Sequence, residues 1–419
     1  MSKKFYIKTL GCKVNQYESQ VIREGFLSDG YLEAGGIDEA DVCVVNTCTV
    51  TSVSDSKSLR LIRKALENSK CVVATGCLVE DKSLDLSRLS GVRFIIKNKD
   101  KSRIPQIVNS SNDKECSRSQ GITGLEGHTR VFVKIQDGCD NVCSYCKVRV
   151  VRGRSRSRTP GEVIKECSGL IESDYREMVL TGICIGAYGK DLARGLNLAG
   201  LIKEVCKIKG DWRLRLSSIE PKDISGDLLL EIKTEKRLCK HIHIPFQSGD
   251  DYILKRMDRA YKSKDYLDVV RRLKEAVPDI AITTDIMVGF PGETEKRFQN
   301  TVDFIKSIRP MRMHIFPFSR RRGTKAYNYK DTVTSSVKRK REKILSSLAA
   351  QLSQEFVDRF LGKERRVLVE SKRSKDGYLQ GYTDDYIKVY IEGPDSLKGK
   401  LINPSLALTN SKVHGILLP

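Results

Sequence analysis

The most constraining feature of the sequence is a loop of three cysteines that directly follows a short apolar run. The run VFVKI, residues 131–135, predicts a buried strand, and Asp137 and Gly138 end it. The cysteines then occur with C-x3-C-x2-C spacing, at Cys139, Cys143 and Cys146. Structural zinc sites are closed by four ligands, and cubane clusters usually take four thiolates. A set of three thiolates therefore indicates a metal centre with one position left for a substrate or cosubstrate, although a zinc knuckle has the same donors.

A second set of three cysteines is dispersed through residues 1–108, where predicted strands and helices alternate. Each cysteine follows the end of a predicted strand: Cys12 after IKTLG, Cys48 after VVNT and Cys77 after VVATG. An alternating βαβα pattern predicts a parallel sheet, and ligands bind at the carboxyl edge of such sheets. The three thiols should therefore meet at that edge, where they could hold a second cluster. The alternative is that each cysteine only packs a strand end.

The pattern predicts an α/β protein with three folded regions. Residues 1–108 suit a Rossmann-like parallel α/β domain, and the polar segment 109–127, which contains Cys116, suits a linker. Residues 128–357 contain six candidate strands separated by helices, which predicts a partial (β/α)6 TIM-like barrel with its active site at the carboxyl ends of the strands. Residues 358–419 change to short alternating strands between turn residues, which predicts a small antiparallel β-barrel.

Two further features lie where this barrel should open. Gly182 and the segment Gly289–Glu293 follow two of the predicted strands, and their glycines would permit close backbone approach to a ligand. A basic stretch, RGRSRSR, follows the clustered cysteines and supplies four candidate contacts to an anionic partner: Arg152, Arg154, Arg156 and Arg158. The glycines are equally common as turn residues, and the arginines could bind a carboxylate or only phosphates.

The composition indicates what kind of molecule the protein binds and in which cellular compartment it acts. The chain of 419 residues has a formal net charge of +22, which favours an anionic partner such as nucleic acid. No apolar run is long enough to span a bilayer, and the first residues do not form a signal peptide, so we expect a cytoplasmic protein without a membrane partner. Its 13 cysteines are then more consistent with metal chemistry than with disulfides.

Together these motifs resemble the radical S-adenosylmethionine (SAM) methylthiotransferases over almost the whole chain. The segments TLGCKVNQYES, VVNTCTVT and ATGCLVE carry the resemblance in the first region, and HIHIPFQSGDDYILKRMDR and TTDIMVGFPGET carry it in the second. The resemblance implies two 4Fe-4S clusters, one on each cysteine set, and implies SAM contacts at Gly182, Gly289 and Glu293. It also implies that the last region is an RNA-binding TRAM domain. Within the family, LGCKVNQYES and RGRSRSR are similar to the branch that acts on N6-threonylcarbamoyladenosine beside the tRNA anticodon, at position 37.

The implied reaction uses one SAM to methylate sulfur and a second SAM as the source of a radical that activates the adenine C2 position. Its partners would be tRNA, a flavodoxin- or ferredoxin-like electron donor and a sulfur donor. The alternatives are a methylthiotransferase acting on isopentenyladenosine in tRNA or on a ribosomal protein, and a non-enzymatic zinc-dependent RNA-binding protein. Two departures from the family pattern lie near the expected SAM site. Lys147-Val148-Arg149 replaces an apolar stretch that ends in Pro, and Cys184 replaces an Asn.

Overall fold

The computed structural model describes residues 2–83, 89–109, 121–192, 195–330 and 333–417, so most of the predicted linker, with Cys116, lies outside the described residues. The first region forms a five-stranded parallel sheet in the order β2-β1-β3-β4-β5. Strands β3 and β4 are buried along their whole length, as expected for sheets covered on both faces. The elements are β1 (Lys4–Thr9), α1 (Lys13–Ser28), β2 (Leu32–Glu33), β3 (Val42–Thr47), α2 (Ser52–Asn68), β4 (Cys71–Gly76), β5 (Phe94–Ile96) and α3 (Ile104–Asn109).

Six parallel strands form the central partial barrel, which confirms the predicted (β/α)6 architecture. They are β6 (Val131–Lys134), β9 (Glu177–Thr181), β10 (Arg213–Leu216), β11 (His241–His243), β12 (Ala281–Val288) and β13 (Arg312–Pro317). Two three-stranded sheets are joined by parallel bridges between Leu214 and Leu238 and between Ser218 and His243. The largest apolar core of the protein fills this region and includes Trp212 and Phe246.

Helices cover the barrel, and a small ribbon supports the cysteine loop. The ribbon pairs β7 (Gln136–Asp137) with β8 (Arg156–Ser157) in antiparallel orientation. The helices of this region are α4 (Val148–Arg152), α5 (Pro160–Glu172), α6 (Leu198–Val205), α7 (Gly226–Thr234), α8 (Asp251–Arg256), α9 (Ser263–Ala276), α10 (Glu295–Ile308) and α11 (Ser335–Asp358). Helix α5 begins with a capping box between Thr159 and Glu162, which satisfies its first free N–H groups. None of the helices among the described residues is long and apolar enough to cross a membrane.

The last region is a six-stranded sheet in the order β17-β14-β15-β16-β19-β18. Its strands are β14 (Val367–Arg373), β15 (Leu379–Thr383), β16 (Lys388–Ile391), β17 (Leu401–Ile402), β18 (Ser405–Thr409) and β19 (Lys412–Ile416). An antiparallel bridge joins Ser405, on the edge strand β18, to Glu364, which precedes β14 near the other edge, as expected for a small barrel. The pairing is antiparallel except between β16 and β19, which run parallel. The sequence pattern does not show this exception, because alternation fixes a strand's faces but not its neighbour.

Buried arginines attach this last region to the lower end of the central barrel. Arg213 donates to the carbonyls of Arg366 and Tyr382, and Arg215 donates to those of Thr383 and Asp384. Both guanidinium groups also pair with Glu177, which is fully buried. Because Glu177 and the carbonyls of the last region together satisfy these buried charges, the barrel and the C-terminal sheet form one packed unit.

Candidate functional site

A cavity of about 410 Å³ lies between the first sheet and the mouth of the central barrel. Its wall includes all three cysteines of the first set, Cys12, Cys48 and Cys77, together with Cys146 of the second set. Residues separated by more than a hundred positions thus face one space. The prediction that strand ends gather the first cysteine set at one edge therefore agrees with the placement of all three.

The three loops that carry the first set are tied together by one amide. The Asn15 side chain donates to the carbonyls of Leu10 and Thr47, which precede Cys12 and Cys48 respectively. Cys77 is joined to the same place because its N–H donates to the Thr47 carbonyl. Gly76 has φ of +101° and approaches Thr47 so closely that an added Cβ would lie 2.4 Å from the Thr47 nitrogen. Glycine is therefore required there, and it brings the β4 end against the β3 end.

The thiols of the second set receive hydrogen bonds suited to thiolates. The backbone N–H of Asn141 points to Cys139 Sγ and that of Val148 to Cys146 Sγ, each at 3.4 Å. Arg259 donates to Cys143 Sγ at 3.4 Å and is itself held by Glu220 at 2.6 Å. Hydrogen bonds to cluster sulfurs tune the potential of iron–sulfur centres. Three thiols on one loop with N–H groups aimed at them fit a cubane cluster with one open iron.

Cys184, one of the two departures from the family pattern, contacts this set directly. Interaction with the Cys184 thiol lowers the pKa of Cys139 to about 7, whereas burial raises the pKa of Cys146 to about 12. The other polar neighbour of Cys184 is Asp223, at 3.8 Å. Among the described residues, no group of three or more His, Cys, Asp and Glu side chains is gathered to hold a single metal ion. In a four-iron cluster the thiolates bind different irons.

Lys147, the other departure from the family pattern, forms a contact between the central barrel and the first region. Its ammonium group is buried and forms an ion pair with Asp81, which follows β4. Near this pair, Arg321 pairs with Asp55 at 2.6 Å and donates to the Thr49 hydroxyl at 2.8 Å. These two ion pairs therefore connect the first region to the central barrel beside the cavity.

The residues expected to contact SAM are placed differently. Gly182 approaches the Gln136 carbonyl, at 2.8 Å from an added Cβ, and its neighbour Ile183 lines the cavity instead. Gly289 has φ of +72°, and its N–H donates to Glu293 at 2.6 Å. The Glu293 carboxylate is also paired with Arg341 at 2.7 Å and is 3% exposed. These contacts give Glu293 a role in holding the β12 loop on helix α11, and they do not favour the expected SAM contact.

The four arginines of RGRSRSR separate into two kinds. Arg152 is buried and pairs with Glu18 at 2.8 Å and Asp137 at 3.1 Å, while Arg158 pairs with buried Glu166. These two hold the structure together, so the expectation that all four face tRNA does not fit their surroundings. Arg154 and Arg156 are exposed, and the described residues offer them no ion pair. Neither lines the cavity, which favours phosphate contact over selection of the modified base.

Sequence reasoning missed a polar group on the cavity floor. Asp285 on β12 lies 3.3 Å from His243 Nε2 and 3.4 Å from His314 Nδ1. His241, on the same strand as His243, packs in the core, where its ring stacks on Tyr386 at 4.7 Å. The signal available in the sequence was the i, i+2 spacing of Thr283 and Asp285 on a predicted strand, which places both side chains on the same face.

Comparison with known proteins first defines the class. The Radical SAM superfamily matches residues 133–305, and a family described as "Uncharacterized protein family UPF0004" matches residues 4–96. Among solved structures, the radical SAM methyltransferase TsrM from Kitasatospora setae aligns with a TM-score of 0.55 over 76% of this chain and 75% of that one. At 12% identity this likeness concerns the fold. The chain is a radical SAM protein, a class that uses SAM and a 4Fe-4S cluster.

Curated relatives then define the family. "Threonylcarbamoyladenosine tRNA methylthiotransferase MtaB" is 35% identical in Bacillus subtilis, over 94% of this chain and 91% of that protein. The Thermotoga maritima protein of the same name is 39% identical over 91% of this chain and 90% of its own length. A "tRNA-2-methylthio-N(6)-dimethylallyladenosine synthase" from Acetivibrio thermocellus is 34% identical over 96% of this chain and 88% of that protein. The chain belongs to the radical SAM tRNA methylthiotransferase family and is a transferase, which sets aside the non-enzymatic zinc alternative.

Proposed function

We propose that the protein adds a methylthio group to C2 of N6-threonylcarbamoyladenosine at position 37 of tRNA. The observation that carries this proposal is the shared cavity, because sulfur transfer requires both cysteine sets to reach one substrate atom. Relatives named for the threonylcarbamoyl and the dimethylallyl substrates are about equally similar to this chain. Overall identity therefore does not separate the two, and the motifs LGCKVNQYES and RGRSRSR favour the threonylcarbamoyl branch.

Each cysteine set would hold one 4Fe-4S cluster. Cys139, Cys143 and Cys146 would bind the cluster that leaves one iron for SAM, and Cys12, Cys48 and Cys77 the second cluster. When bound, these groups supply radical cleavage of SAM and a transferable sulfur. The protein then provides orientation and exclusion of water. Apolar side chains on the cavity wall suit the faces of an adenine ring: Val50, Val151, Met287, Phe316 and Phe318.

We assign a separate role to each region of the chain. Residues 1–108 would carry the second cluster, 109–127 connect, and 128–357 carry the SAM cluster. Residues 358–419 would bind RNA as a TRAM domain. On that last region Lys388 and Lys412 lie 4.8 and 5.3 Å from the Tyr390 ring, and His414 lies beside both Tyr390 and Tyr378. A surface that interleaves aromatic rings with cations suits stacked bases and phosphates.

Electrons and sulfur must come from other molecules. SAM cleavage consumes an electron, so the proposal includes a flavodoxin- or ferredoxin-like donor, and repeated turnover requires a sulfur donor. The net charge of +22 suits acidic electron carriers as well as tRNA. We propose that the protein acts in the cytoplasm, where tRNA and such carriers are found.

The test is the product formed on two tRNAs. The anaerobically reconstituted protein is given SAM, reductant and either tRNA bearing threonylcarbamoyladenosine or tRNA bearing isopentenyladenosine. Digested nucleosides are then separated and weighed by mass spectrometry. We expect the 2-methylthio product from the first tRNA and little from the second. Product from the isopentenyl tRNA alone would overturn the substrate assignment, and product from neither would overturn the activity.

A further inference from the structure

A histidine on the cavity wall is oriented by a carboxylate below it. His314, on β13, lines the cavity and directs Nδ1 toward Asp285 at 3.4 Å, and its side chain is 73% exposed. Asp285 is only 27% exposed. The imidazole ring therefore has one nitrogen engaged with Asp285 and presents the other, Nε2, to whatever enters.

Asp285 is itself fixed by hydrogen bonds inside the barrel. Thr283 Oγ1 lies 2.9 Å from both His241 Nε2 and His243 Nδ1, and His243 Nε2 faces Asp285. One hydroxyl has one proton, so it donates to one histidine and accepts from the other. The Nδ1 of His241 is buried without a partner among the described residues, which suits a proton on Nε2. The chain then runs from His241 through Thr283 to His243, whose Nε2–H donates to Asp285.

The charge state of the pair follows from these contacts. Burial alone would raise the pKa of Asp285, but the hydrogen bonds from His243 and His314 lower it below its usual value. The hydrogen bond to Asp285 in turn raises the pKa of His314. His314 is thus biased toward the cation, with a fixed ring orientation.

The other basic groups on the cavity wall are already engaged. Lys147 is paired with Asp81, Arg152 with Glu18 and Asp137, and Arg321 with Asp55. Arg321 keeps an Nε without a partner, but that nitrogen is buried. Among the described residues that line the cavity, His314 is therefore the basic side chain with an exposed donor. An anionic group on a substrate in this cavity would meet that donor.

We propose that His314, oriented by Asp285, determines specificity by binding the carboxylate of the threonylcarbamoyl substituent. This rests on the proposed function, and names the part of the site that reads the substituent. The threonyl group ends in a carboxylate, which pairs with an imidazolium N–H through a charge-assisted hydrogen bond. The dimethylallyl substituent has no acceptor, so it displaces water from Nε2 without replacing the hydrogen bond that the carboxylate would form. Asp285 is a positioning residue, because it acts through the His314 ring.

The test measures binding as well as turnover, using reconstituted holoenzyme. The two ligands are anticodon stem-loops that bear threonylcarbamoyladenosine or its neutral carboxamide, which keeps the shape and removes the charge. Wild type should bind the carboxylate form about tenfold to a hundredfold more tightly, the range of one hydrogen bond to a charged group. His314→Gln should remove most of that preference, and Asp285→Asn part of it.

The controls separate a local effect from misfolding and from a wrong activity. His128→Gln alters a histidine that is exposed and does not line the cavity, and it should keep the wild-type preference. Iron content and thermal midpoint of each variant are compared with wild type. If His314→Gln is unfolded, His314→Asn replaces it. A His314 variant that folds, turns over and keeps the full preference for the carboxylate overturns this inference. Wild type without activity on threonylcarbamoyl tRNA overturns the proposed function instead.

Discussion

Glu18 is the residue whose loss should most clearly uncouple the first sheet from the barrel. It lies on α1 and is 7% exposed. Its carboxylate pairs with Lys101 at 2.5 Å, Lys134 at 2.7 Å and Arg152 at 2.8 Å. Lys134 belongs to β6 of the barrel and Arg152 ends α4, beside the cysteine loop. One buried carboxylate therefore connects the region that carries the first cysteine set to the elements beside the second set.

The expected loss in the free energy of unfolding follows from the charges that Glu18→Gln leaves without a partner. Lys134 and Arg152 keep Asp137 at 2.7 and 3.1 Å, but Lys101, at 3% exposure, loses its ion pair. Breaking a buried pair by removing one partner costs about 3–5 kcal/mol, because a charge remains buried without compensation. That is a large part of the stability of about 5–15 kcal/mol typical of a folded domain. Methylthio transfer should fall more than SAM cleavage, since only transfer needs both cysteine sets in register.

The assay is urea unfolding of the anaerobic holoprotein, with Glu67→Gln, at an exposed position on α2, as the control. Adding Lys101→Met to Glu18→Gln should restore part of the loss, because the stranded charge is removed. The reasoning would be refuted if Glu18→Gln lowered the free energy of unfolding by less than about 1 kcal/mol, or if the double variant recovered none of that loss.

The difference in unfolding free energy between wild type and Glu18→Gln should change with pH in a predictable direction. Burial alone would raise the pKa of Glu18, but the charges of Lys101, Lys134 and Arg152 lower it well below its usual value. A carboxylate with a lowered pKa stabilises the fold fully above its unfolded pKa of about 4.3, and this contribution is lost as pH falls toward the folded pKa. The gap between wild type and Glu18→Gln should therefore be constant near neutral pH and shrink below about pH 4.

The other predictions concern the clusters and the RNA surface. Replacing one cysteine set with Ala should leave about four irons of about eight. Loss of Cys139, Cys143 and Cys146 should abolish SAM cleavage, whereas loss of Cys12, Cys48 and Cys77 should spare cleavage and abolish sulfur transfer; about four irons in wild type would contradict this. Affinity for tRNA should fall steeply with salt, and Tyr390→Ala should weaken binding by about 1 kcal/mol or more. A flat salt dependence or an unchanged affinity would count against the RNA surface. Arg154→Ala and Arg156→Ala should weaken modified and unmodified tRNA equally, and a larger loss on the modified form would restore their role in choosing the base.

The strands and the cysteine placement follow from the sequence alone. Apolar β-branched runs such as VCVVNT and CVVATG predict β3 and β4 because burial on both faces leaves a local signature. A cysteine that directly follows such a run must lie at the carboxyl edge of the sheet. The meeting of Cys12, Cys48 and Cys77 thus needed only the parallel topology, which βα alternation implies. The spacing of Cys139, Cys143 and Cys146 is local to one loop.

The roles of individual charges were decided by tertiary packing. RGRSRSR is one uniform pattern in sequence, yet Arg152 and Arg158 are buried in ion pairs while Arg154 and Arg156 face solvent. Glu293 similarly meets Arg341, 48 residues away, instead of facing the cavity. A side chain's partner depends on which distant segment packs over it. Local pattern carries no record of that choice, whereas the cost of an unpaired buried charge makes it decisive in the folded protein.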